Sequence, residues 1–82
     1  MAVRGYVLID AEVGKAKSVG QALGSLMHPD AKVKSVDTVT GPYDAIAVLE
    51  SDDLDRLAKA LTDGIQRVDG VASTTTCLIV HL

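Results

Sequence analysis

The chain has 82 residues and a net charge of -3, with 48% hydrophobic residues but no Phe, no Trp and only two Tyr. A chain this short makes one domain, residues 1–82, burying only about 60–65% of the surface its unfolded form exposes, so Val, Leu, Ile and Ala must fill a thin core that an oligomer would reinforce. The eight basic residues are scattered, which argues against nucleic-acid binding. No stretch approaches the roughly 20 apolar residues of a membrane span, and one cysteine, Cys77, excludes an internal disulfide and fits a reducing cytoplasm.

The first element is a β-rich run from Tyr6 to Val13, with a start as early as Val3 open, punctuated by Gly14. Apolar residues at Ala16, Val19, Ala22, Leu23, Leu26 and Met27 then make a helical stripe that Pro29 and Asp30 end. Gly20 and Gly24 each cost that helix about 1 kcal/mol relative to Ala. Their i, i+4 spacing puts both on one side, where another backbone can come close. Lys32 to Thr40 reads as a second strand and Ala45 to Glu50 as a third, separated by Gly41-Pro42-Tyr43-Asp44. Ser51, Asp52 and Asp53 offer N-caps for a second helix with Leu54, Leu57, Ala58, Leu61 and Ile65 on one face. Asp52 with Arg56, and Asp55 with Lys59, have i, i+4 spacing on the other face. Asp69-Gly70 stops this helix, and Val71 to Leu82 is the last strand. The order β-α-β-β-α-β is that of an α+β, ferredoxin-like sandwich.

The strands are apolar at alternate positions on both sides: Tyr6 and Leu8 against Val7 and Ile9, Ile46 and Val48 against Ala45, Ala47 and Leu49. Leu78, Val80 and Leu82 stand against Cys77 and Ile79. Two helices cover one face of a sheet, so the other calls for a second subunit packed sheet against sheet.

The turn between the second and third strands carries the chemistry. Gly41 allows positive φ or close backbone approach, Pro42 fixes one dihedral, and Asp44 places a carboxylate beside backbone N–H groups. A carboxylate that takes an ammonium, next to N–H groups that take a carboxyl, suits a small zwitterion. Asp44 as a simple cap of its own turn is the competing reading, as packing is for Tyr43 and β-propensity for Thr74, Thr75 and Thr76. His28 and His81 have no His or Cys at ligand spacing, so no metal is expected, and no nucleophile–base pair suggests catalysis.

Together, Thr40-Gly41-Pro42-Tyr43-Asp44, Asp53-Leu54 and Gly70-Val71-Ala72-Ser73-Thr74-Thr75-Thr76 resemble the effector-binding (RAM) domain of the Lrp/AsnC family, over Gly5 to about Val80. The resemblance implies a regulatory, non-enzymatic module of the dimeric α/β-barrel type, without cofactor, that forms homodimers and octamers or similar rings of dimers. It implies that a free amino acid or related metabolite binds where dimers meet, near Thr40, Gly41, Pro42, Tyr43, Asp44, Thr74, Thr76 and Leu78. Asp44 would take the ammonium, Thr74 and Thr76 would offer hydroxyls, and Leu78 would serve effector response and assembly. Family regulators carry an N-terminal helix-turn-helix domain, whereas Met1 lies almost at the first strand here. The expectation is therefore a stand-alone effector domain that contacts no DNA itself but can co-assemble with a full-length relative. The stretch Met27-His28-Pro29-Asp30-Ala31 departs from the shorter turn common in the family and leaves the register of the second strand open. A small enzyme of the same barrel superfamily, monooxygenase or isomerase, and an assembly partner that binds no ligand are the rival readings.

Overall fold

The computed structural model describes residues 2–82. Its elements are β1 (Val3–Ala11), α1 (Ala16–Gly24), β2 (Lys32–Thr38), β3 (Ala45–Ser51), α2 (Leu54–Lys59) and β4 (Val71–Leu78). The strands form one antiparallel sheet in the order β2-β3-β1-β4. This is the expected βαββαβ sandwich, with both helices on one face.

The core follows from strand alternation. Val7 and Ile9 of β1 and Ala45, Ala47 and Leu49 of β3 point to the helices, where Val19 and Leu23 of α1, Leu57 of α2 and Ile65 meet them. Each of the large side chains among them is fully buried and contributes roughly 1.5–3 kcal/mol. Directly paired residues share a face, so the register assigns Arg4, Tyr6, Leu8 and Asp10, with Ile46, Val48 and Glu50, to the opposite, open face. Ser73, Thr75 and Cys77 of β4 join them. Tyr6 there remains 46% exposed. The second apolar face is thus real within the subunit and has no cover from its own helices.

Several element boundaries differ from the sequence reading. β1 ends at Ala11, although Glu12 N–H still bonds the Gly70 carbonyl beside β4 at 2.7 Å. Val13 lies in the exposed turn that follows. α1 stops at Gly24 rather than near Pro29, so Met27, 91% exposed, is no part of its buried stripe, and Ala22 faces solvent. Neither glycine meets the expected second backbone: a Cβ on Gly20 would lie 2.8 Å from the side-chain Oγ1 of Thr38, and one on Gly24 would meet nothing within 4 Å. β2 ends at Thr38 and β4 at Leu78, each short of its expected end, although Ile79 N–H still bonds the Arg4 carbonyl at 2.9 Å.

The second helix is less regular than its pattern. Asp53 caps it by accepting from Arg56 N–H at 2.8 Å, and Asp52 pairs with Arg56 at 3.2 Å. Among the described residues Asp55 and Lys59 form no ion pair; Arg56 reaches Asp53 instead. From Ala60 the chain widens into a π-turn to Gly64 and then tightens into a 3-10 turn, Ile65–Arg67. Leu57, Ala60, Gly64 and Ile65 are buried and Leu61 is half-buried, whereas Leu54 and Ala58, expected on the same face, are exposed.

Candidate functional site

The Gly-Pro-Tyr-Asp turn is held at one end of the sheet, beyond the last residues of β1. Val39 N–H donates to the Asp44 carbonyl at 3.0 Å, closing the turn, and Asp44 N–H donates to the Ile9 carbonyl at 2.9 Å. The Asp44 side chain does not cap its own turn. Its Oδ2 accepts from Ala11 N–H at 2.8 Å, 33 positions away in the chain, and so fastens the turn to the end of β1. The other carboxylate oxygen has no protein partner among the described residues. Gly41 has φ +133, a conformation L side chains rarely adopt, and a Cβ there would meet nothing within 4 Å. The turn therefore needs glycine for its backbone angle and leaves that backbone open to approach. Tyr43 is half-buried, whereas Thr40 and Pro42 are exposed.

The last strand starts at the same end. Thr74 lies opposite Ile9, and its Oγ1 accepts from Gln66 Nε2 at 3.1 Å. Thr76 and Leu78 lie opposite Val7 and Gly5. Leu78 is thus four residues further along, about 14 Å at the usual rise of a strand. One subunit brings the turn and Thr74 to the same end but leaves Leu78 away from them. Thr74, Thr76 and Leu78 point to the helix side, and Leu78 is 44% exposed because the helices do not reach over this edge.

Sequence reasoning missed three neighbours. Asp10, at the end of β1, accepts from Ser73 Oγ at 3.0 Å and puts a second carboxylate at the turn's end of the sheet. Ala11 supplies the N–H that orients Asp44, and Gln66 fixes Thr74. Only Asp10 left a signal, as the charge that ends the apolar run Tyr6 to Ile9. Clefts on the subunit lie at the opposite end, one between the Gly24–Pro29 segment and β2, another beside Ala2, Asp52 and Glu50. The turn is a surface feature of the subunit.

The chain belongs to the Lrp/AsnC family: the model of the Lrp/AsnC ligand binding domain matches residues 6–81. The module is a regulatory ligand-binding domain. Among solved structures, TTHA0845 from Thermus thermophilus is 31% identical with a TM-score of 0.83, the match covering 98% of this chain and 95% of that one. AsnC of E. coli is similar in fold, with 23% identity and a TM-score of 0.85, over 98% of this chain and 52% of AsnC. The regulator NMB0573 of Neisseria meningitidis, solved with L-Met, has 14% identity and a TM-score of 0.78, over 96% of this chain and 50% of its own. The chain thus spans about half of these two regulators. No curated protein sequence matches it. Among the described residues no helix is long and apolar enough to cross a membrane.

Proposed function

We propose that this chain senses a free amino acid or a related small metabolite in a site completed by a neighbouring subunit, and that it acts on transcription through assembly rather than catalysis. The observation that carries this reading is the state of Asp44. One oxygen is fixed by Ala11 N–H, which orients the carboxylate, while the other is left for a cation. Beside it, the open backbone at Gly41 suits the carboxylate of a zwitterion. Thr40, Pro42 and Tyr43 form the rest of the turn, and Thr74, Thr76 and Leu78 are the wall that an adjoining subunit would bring up or receive. The L-Met complex of the Neisseria regulator supports an amino acid as the class of ligand.

The open sheet face, with Tyr6, Leu8, Ile46 and Val48 at its centre, supports a homodimer packed face to face, and rings of such dimers would create the junctions the site needs. Co-assembly with a full-length Lrp/AsnC regulator would let a bound effector alter the regulator's oligomeric state. A cytoplasmic location follows from such a partner.

The Ala11 bond also favours a second reading, in which Asp44 only fastens the turn. Asp44→Asn separates the two, because the amide oxygen still accepts from Ala11 N–H while the charge is gone. Isothermal titration with amino acids should show affinity lowered about ten- to a hundredfold, the cost of losing one charge-assisted hydrogen bond, with melting temperature little changed. Equal affinity in Asp44→Asn and wild type would leave the fastening role alone.

A further inference from the structure

The two edges of the sheet are built differently. β2 carries Lys32, Lys34 and Asp37 and is broken by a bulge between Val33 and Ser35, features that discourage strand addition. β4 carries no charge from Val71 to Val80, keeps an unbroken register with β1 from Ser73 to Leu78, its own irregularity lying at Ala72, and has no described strand on its outer side. Its outward backbone groups can be named. Ile79 N–H bonds the Arg4 carbonyl at 2.9 Å, and bonding alternates along an antiparallel pair, so Ser73, Thr75 and Cys77 face β1. The N–H and C=O of Thr74, Thr76 and Leu78 therefore point away from the sheet.

We propose that this edge pairs with the β4 strand of a second copy, antiparallel about a twofold axis at Thr76, joining two sheets into one of eight strands. The register follows from side-chain size. Centring on Thr76 sets Thr76 beside its own copy, a pairing that stabilises sheets. It sets Leu78, 44% exposed, beside Thr74 of the second copy. On the other face Cys77 falls beside Thr75 and Ile79 beside Ser73. Every large residue meets a small one, no charge meets a like charge, and the outward N–H and C=O groups of Thr74, Thr76 and Leu78 find partners. The side chains of these three residues stay on the helix face, so the pairing itself requires no effector. It is also separate from packing through the open face, which buries the other set of side chains.

Residue-resolved hydrogen exchange on the wild-type assembly, without added ligand, tests the edge directly. The amides of Thr74, Thr76 and Leu78 should exchange on the order of 100-fold more slowly than unstructured amides, while those of Val36 and Thr38, which face outward on β2, should not. Free exchange at Thr74, Thr76 and Leu78 would overturn the pairing, and protection of both edges would mean that β4 meets a partner's β2 instead. A second measurement fixes the occupant. In the variant Thr76→Cys with Cys77→Ser, a short bis-maleimide should link two chains, since a hydrogen-bonded pair brings Cα atoms to about 5.5 Å. Packing through the open face cannot do this, because two sheets about 10 Å apart then separate the helix-face residues. Protected β4 amides without that cross-link would show that another strand, not a second β4, holds the edge.

Discussion

Glu50 lies on the open face opposite Arg4, whose Nε sits 2.6 Å from its carboxylate. That hydrogen bond, with the charges of Arg4, Lys34 and Lys32, holds the Glu50 carboxyl below its usual range, against an opposing loss of hydration. A carboxyl group depressed in this way binds fewer protons folded than unfolded. Its stabilisation is complete above the unfolded value of about 4.5 and fades as pH falls through the lower folded value. Urea midpoints measured from pH 6 downward should therefore drop less in Glu50→Gln than in wild type once pH passes about 4.5. Asp44 shows where residue-level reading from sequence stops. The turn chemistry announced a carboxylate with backbone donors nearby. That the donor is Ala11, 33 positions away, is a matter of strand register, which local sequence does not encode.

At the scale of elements, the glycines divide by what surrounds them. Gly70 has φ +96, and a Cβ there would lie 2.9 Å from both Lys15 Cβ and Val19 Cγ2. Gly70→Ala combines backbone strain with overpacking at the junction of α1 and β4 and should cost roughly 2–4 kcal/mol in a urea titration. Gly24→Ala touches nothing within 4 Å and should stabilise by a few tenths to about 1 kcal/mol in the same titration. The order of elements and the strands β1 and β3 were legible because Tyr6 to Ile9 and Ala45 to Leu49 are short unbroken apolar runs ended by Asp10 and Glu50. Helix ends were not. Leu26 is partly buried against the core from a loop rather than from the helix, so an apolar residue at helical spacing extended the reading too far. The π-turn at Ala60–Gly64 likewise has no proline to announce it. The candidate site was legible as residue types but not as a place, because one subunit holds Leu78 about 14 Å along β4 from Thr74, away from the turn.

For the whole molecule, the proposed dimer rests on four apolar side chains of the open face, Tyr6 exposed and Leu8, Ile46 and Val48 half-buried. Replacing Ile46 by Lys puts a charge in the middle of the open face and leaves the helix-side core of β3 untouched. Light scattering should report a smaller particle, with the circular dichroism of the folded chain retained; an unchanged mass would mean that the open face is not the interface. The central claim is that an amino acid binds at a junction between subunits. Native mass spectrometry of the wild-type protein, alone and with each proteinogenic amino acid, tests it most directly. Binding at such a junction predicts an even-numbered assembly that gains the mass of a bound amino acid or changes size with it. A monomer, or an assembly to which none of them adds, would contradict it.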